Sequence, residues 1–409
     1  MRYWNIIFLN FLLLSSITSI AQKEVTYHGQ IERIIINNCA VCHKPNGYGP
    51  FPLTTYKEVK SKGSFIGHVV KTRYMPPWKA DPTFSSFKNE RVLPEKDIQL
   101  ILDWIDGGMP KGKKTETSLP IPGLMEDRTP DLVLEMNDSY QLSDEGIEDY
   151  RFFNIPTNLE EDTYIQSINY VPGNKRYVHH SRVMADTTNL IRGIDGLSEF
   201  DPKALEFQKN PLADEFLYGW VPGNLPLLYP PGTGKKLHAN TDLILNVHYA
   251  PTSSEQEDKS RIELFFSKEE VNNDIKTLTI TENHISNKPF LLKADTKPIF
   301  YVSYTLRNDM NIVSLLPHMH FLGKSFKAVA ATPEGEAIPL IKIDDWDFNW
   351  QSSYLFEDPL FVPKGSIILI VAEYDNTEEN EYNPNSPPID VGLGWNSTDE
   401  MMNLIFYYY

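Results

Sequence analysis

The chain has 409 residues and a formal net charge of −17, too long for one ordinary core and too acidic to favour nucleic acid or an anionic membrane surface as partner. Its 30 prolines, and the short β-branched and aromatic runs after about residue 130, predict a mainly β, loop-rich architecture. At a prior of ~150 residues per domain, two or three domains are expected.

Residues 1–21 read as a secretory signal peptide. Arg2 opens it, residues 6–14 are its apolar stretch, and Ser19-Ile20-Ala21 is a small-residue cleavage site. The expectation is an export signal that is cut after Ala21, leaving a periplasmic or secreted protein with no membrane span. An exported chain is free to use disulfides, yet its two cysteines, Cys39 and Cys42, stand three positions apart. They are committed to something local.

Asn38-Cys39-Ala40-Val41-Cys42-His43 is C-x-x-C-H, the attachment signature of c-type haem. Cys39 and Cys42 would carry the thioethers and His43 would ligate the iron. A redox dithiol would need a βαβ setting, and a zinc site would need further ligands nearby. Residues 22–110 resemble a small α-helical cytochrome c domain. Residues 27–37 form its first amphipathic helix. Residues 95–107, with Ile98, Ile101, Leu102 and Ile105 at helical spacing, form its closing helix. The second axial ligand is expected between them. Met75, in Tyr74-Met75-Pro76-Pro77-Trp78, is preferred; His68 and then Met109 follow. Residues 111–128 lack periodicity and read as a linker.

Residues 129–289 read as a first β-domain, with strands at 132–136, 164–171, 179–184, 243–249 and 262–266. It holds His179 and His180, which are adjacent, and His248 near the end of a strand. Neighbours on a regular strand face opposite ways, so both of the pair reach one ion only at a strand end or bulge; otherwise one is buried and one exposed. Gly232-Thr233-Gly234-Lys235 is read as a turn, because a P-loop needs a glycine where Tyr229 stands and a Ser or Thr after the Lys.

Residues 290–409 read as a second β-domain, with strands at 299–306, 312–316, 326–330, 338–343 and 367–374 and a closing aromatic strand. His318 and His320, one residue apart at a strand end, share one face and can converge on one ion, or are two ordinary histidines. Met401 and Met402 precede the final strand. Two imidazoles and a thioether form a set that favours copper. His28, His238 and His284 are read as surface or structural histidines.

Four pieces thus stand in order: His179-His180, Val247-His248-Tyr249, His318-Met319-His320-Phe321-Leu322-Gly323 and Ser397-Thr398-Asp399-Glu400-Met401. Over roughly 130–409 the chain resembles the copper type II, ascorbate-dependent monooxygenases, the family of the peptidylglycine- and dopamine-hydroxylating enzymes. The resemblance implies two jelly-roll-like β-sandwiches, each carrying one copper. His179, His180 and His248 would hold the electron-transfer copper. His318, His320 and Met401 would hold the catalytic, oxygen-binding copper, with Met401 preferred to Met402 because it follows Asp-Glu directly. The implied reaction is hydroxylation of a C–H bond of a small organic substrate by O2, with electrons from an external donor. The fused haem is expected to relay them to the three-His copper and then to the second. The alternative is a non-enzymatic protein that transfers electrons or binds copper. Blue-copper centres need a cysteine thiolate, and both cysteines are used by the haem motif; zinc hydrolases of one class need H-E-x-x-H, which is absent. Two departures from the family matter. The disulfides of its animal members are absent. Leu316 stands where peptide-hydroxylating members carry an Arg, so a peptide C-terminus is not the expected substrate.

Overall fold

The computed structural model describes residues 24–45, 47–88, 90–114, 128–209, 215–224 and 226–409. The expected signal peptide and most of the expected linker lie outside the described residues. The chain is mainly β and builds several sheets behind a helical N-terminal module. Among the described residues no helix is long and apolar enough to cross a membrane.

The module contains helices Glu32–Asn38, Tyr56–Ser61, Gly63–Lys71 and Glu95–Asp106, with a π-helical turn Tyr27–Ile31 leading into the first. Thr55 and Glu58 close a reciprocal capping box that fixes the start of the Tyr56–Ser61 helix. Tyr27, Ile35, Ile66, Ile98, Ile101 and Trp104 meet in its small core. The module is not held by its C-terminal connection alone. Trp78, Ala80 and Phe87 enter the core of the second β-domain. Lys88 N–H also donates to Leu355 C=O at 2.7 Å, and Asp81 N–H to Lys342 C=O at 2.8 Å.

In the first β-domain, a sheet of Asp149–Pro156, Asp242–Tyr249, Val178–Asp186 and Glu215–Trp220 faces one built on Leu132–Glu135, Arg261–Phe266, Thr163–Val171 and Thr233–Leu237. Their inward residues form one core. The Asp242–Tyr249 strand is buried along its whole length, which explains its almost unbroken apolar sequence. Leu243, Leu245, Val247 and Tyr249 enter the core between the sheets. Ile244 turns the other way, onto Phe152, Met184, Ile191 and Phe207. His248 shares that second face by alternation. Of the expected turn at Gly232-Thr233-Gly234-Lys235 only Gly232 lies in a turn, with φ +73°; Thr233-Gly234-Lys235 opens the Thr233–Leu237 strand. Thr233 and Gly234 pair with Asn273 and Asp274, and Lys235 with Ile165.

The second β-domain pairs Lys276–Ile280, Asn403–Tyr408, Met310–His318 and Tyr354–Val362 in one sheet, and Ile299–Thr305, Ile367–Tyr374, Gly323–Ala331 and Ala337–Ile343 in the other. The domain boundary expected at 289/290 therefore moves. Lys276–Ile280 runs antiparallel to Asn403–Tyr408 and belongs to the second domain. Val313, Leu316 and Tyr407 point out of their own domain into the core of the first. Apolar side chains thus continue across the interface. Leu316 lies so close to Gly219 that a Cβ on that glycine would stand 3.0 Å from Leu316 Cδ2.

Candidate metal centres and the adjoining cavity

His179, His180 and His248 meet at the end of the sheet that carries them. The register of Val178–Asp186 against Asp242–Tyr249 slips between Val178 and His180, which places a bulge at His179. The bulge removes the conflict of adjacent positions, and both histidines reach the side of His248. Their three Nδ1 atoms lie 3.2–3.3 Å from one another. Three mutual contacts of this kind cannot all be hydrogen bonds. Each Nδ1 either carries a proton or does not, so at least one pair is donor against donor or lone pair against lone pair. A cation at the centre resolves this. The centre of a triangle of that side is about 1.9 Å from each corner, close to a metal–imidazole bond of ~2.0 Å.

The surroundings suit that role. Burial pushes the His179 imidazole down to about 4 and His180 well below its ordinary value, so the rings are neutral and offer lone pairs near neutral pH. His248 Nε2 points at Glu148 Oε1, 3.4 Å away. The Tyr150 ring stacks on His248 with centroids 4.0 Å apart and planes 6° apart. Tyr150 Oη and Ser397 Oγ both donate to Glu148, at 3.0 and 2.7 Å. Through Ser397 the second domain thus braces a carboxylate that faces a histidine of the first.

His318 and His320 are held differently. The strand Met310–His318 ends at His318, and alternation continues one step beyond. Met319 is buried in the core of its own domain, while Leu316, His318 and His320 share the face turned to the first domain. The ring centroids are 5.0 Å apart. His318 Nδ1–H donates to Gln351 Oε1. His320 Nδ1–H donates to the Asp399 carbonyl at 3.0 Å. Each ring therefore keeps its Nε2 lone pair for another partner. Burial pushes His318 down to about 4 and His320 to about 3. Glu400 is fully enclosed and accepts from the backbone N–H groups of His320, Leu322 and Met401 at 3.0, 2.7 and 3.1 Å. It ties the His-x-His turn to the methionine loop. Met402 packs in the domain core, whereas Met401 is buried outside it. The two histidine groups face each other, with the Phe348 ring 5.3 Å from that of His179 and 5.6 Å from that of His320.

Cys39, Cys42, His43 and Met75 line one cavity of about 580 Å³, a size suited to a cofactor. His68 is exposed and Met109 packs against the helical core. Neither lines the cavity. His43 Nδ1–H donates to Phe51 C=O at 2.9 Å, which leaves Nε2 for a ligand. A Cβ on Gly49 would lie 2.5 Å from the His43 ring, so only glycine lets the chain pass there. The cysteines are not paired, and burial pushes the Cys39 thiol up to about 12. Neutral thioethers suit such a site better than thiolates. Pro222 and Gly223 of the first domain and Trp350 and Leu355 of the second complete the walls. Arg91 also lines the cavity. It donates to Gly223 C=O at 2.9 Å, burial lowers its pKa, and among the described residues no Asp or Glu pairs with it. An enclosed guanidinium without a carboxylate fits the carboxylate edge of a porphyrin. Trp350 Nε1 is buried with no partner. The residues present fit a covalently attached haem.

The sequence reading missed Glu148, Tyr150, Arg91, Phe348, Trp350 and Gln351. The one signal for the last three was local: Trp346 and Trp350 stand close together in a chain with seven tryptophans.

No family model and no curated protein matches the chain. Among solved structures it is similar to a two-domain protein of unknown function from Bacteroides fragilis (10% identity, 63% of this chain and 84% of that one, TM-score 0.18). It is also similar to infectious bursal disease virus Gt strain (10%, 70% and 79%, TM-score 0.16) and to an oxalate decarboxylase (7%, 73% and 85%, TM-score 0.13). At such scores these likenesses carry no argument about this chain.

Proposed function

We propose that the protein is an exported copper-dependent monooxygenase that hydroxylates a C–H bond of a small organic substrate with O2. It is built as two jelly-roll-like β-sandwiches behind a cytochrome c-like module. His179, His180 and His248 would hold one copper, and His318, His320 and Met401 the other. Cys39, Cys42, His43 and Met75 would hold haem c. The observation that carries the reading is the Nδ1 triangle, which faces a second histidine pair across the domain interface. Bound at these places, the coppers would supply one-electron chemistry and an open position for O2, and the haem a one-electron relay.

The protein's own residues set the tautomers. The Glu148 carboxylate, 3.4 Å from His248 Nε2, favours a proton on that nitrogen and so a lone pair on the inward Nδ1. Gln351 and the Asp399 carbonyl do the reverse for His318 and His320. Glu400 positions the Met401 loop against His320. Phe348 packs its ring against both His179 and His320. Leu316 packs against the first domain and offers nothing to a substrate carboxylate, which supports a substrate other than a peptide C-terminus.

Metal and haem stoichiometry of the purified, exported protein is the test. Two coppers and one covalent haem are expected, with Met401→Leu abolishing O2-dependent product formation while haem reduction persists. One haem with zinc, or an unchanged Met401→Leu enzyme, overturns the reading.

A further inference from the structure

The hexapeptide Trp346-Asp347-Phe348-Asn349-Trp350-Gln351 touches the cavity and both histidine groups. Trp350 stands in the cavity wall with Cys42, His43 and Met75, and its ring meets Tyr74 edge-on at 5.9 Å. The next residue, Gln351, is buried and accepts the Nδ1–H of His318. Gln351 Nε2 donates back to Phe348 C=O at 2.9 Å, which fixes the amide. Trp346 Nε1 donates to His320 C=O at 3.2 Å. One covalent step and one hydrogen bond therefore lead from the cavity wall to His318. The three-His group meets the same segment through the Phe348 ring, 5.3 Å from His179, and through the Asn349 side chain, which hydrogen-bonds His179.

We infer that Trp350 and Gln351 are positioning residues that give the haem cavity its own route to the His318/His320/Met401 site, one that does not run through the three-His site. The inference rests on the haem and copper reading above, and it changes the order of relay expected from the sequence. The step is a single electron transfer. Ferrous haem becomes ferric, cupric ion at His318/His320/Met401 becomes cuprous, and no proton or group moves. A one-electron donor such as ascorbate restores the haem.

The test uses the full chain at saturating copper, without O2. The haem is reduced rapidly, its reoxidation is followed by absorbance, and freeze-quenched samples are read by copper EPR. Trp350→Leu and Gln351→Leu are expected to slow reoxidation ~10-fold or more, with the haem spectrum and two-copper stoichiometry retained, the scale of effect seen when a partner of a metal ligand is removed. Trp350→Phe, and Gln351→Glu, which keeps an acceptor for His318, are expected to restore the rate. The EPR signal of the His318/His320 copper should be lost first. Unchanged rates in both leucine variants, with loading intact, overturn the coupling and leave the functional reading standing. Slowing in Phe348→Leu or Asn349→Leu with both other variants unchanged, or earlier loss of the three-His signal, also overturns it. Absence of covalent haem or of the second copper overturns both.

Discussion

The two histidine groups occupy equivalent places, each at a strand end on the face turned to the other domain, yet they are prepared in opposite ways. In the first, three Nδ1 atoms already surround a point, and the bulge at His179 makes this possible. In the second, Nδ1 of both rings is tied to acceptors and Nε2 is left over. The first site is defined by its ligands' convergence; the second is defined by what stands behind its ligands. A closed trio suits a metal that only changes charge. A pair completed by a thioether leaves room for a reactant.

Breaking the trio should have the largest effect. His248→Ala removes one corner, and copper affinity at that site should fall by more than the ~10–100-fold typical of losing a supporting partner, measured by competition with a chromogenic chelator. Gln351→Leu should cost that ~10–100-fold at the His318/His320 site and leave the trio unchanged. Glu148→Ala should do the same at the trio and leave His318/His320 binding unchanged. Asp399→Asn should be near neutral, because His320 is held by the Asp399 main-chain carbonyl and not by its side chain.

Acid sharpens the comparison further. His179, His318 and His320 are depressed to about 4, 4 and 3, against ~6.5 in an unfolded chain. Between those values the unfolded state binds more protons, so these three histidines lower the stability of the metal-free protein as pH drops from about 6.5 toward 4 and add no slope above, where Glu400, raised by burial to about 8, contributes the opposite slope. Each histidine contributes up to about 1.4 kcal/mol per pH unit in that window. Denaturant midpoints at pH 7, 5.5 and 4.5 check this. His179→Ala and His320→Ala proteins should each lose part of the slope.

Much of the architecture is legible in the sequence because it follows from local pattern. The apolar runs at 243–249 and 312–316 mark buried strands, and 95–107 marks a helix whose period is plain. Less regular strands such as Asp149–Pro156 and Tyr354–Val362 went unread. Polar residues interrupt them, and they form because neighbouring strands pair with them. Lys276–Ile280 was assigned to the wrong domain for a related reason, since its partner Asn403–Tyr408 lies far away in the chain.

The candidate ligands were also readable, because C-x-x-C-H, His-His and His-x-His are short and chemically unusual. What the sequence by itself determined is which side chains are available and how neighbouring ones alternate along a strand. Only the tertiary structure decided that a bulge brings His179 and His180 to one side, that Glu148, Gln351 and the Asp399 carbonyl choose the ring nitrogens, and that residues 346–351 lie between cavity and histidines. Those contacts join residues dozens to hundreds of positions apart. Their geometry comes from packing and register, to which no local periodicity gives access.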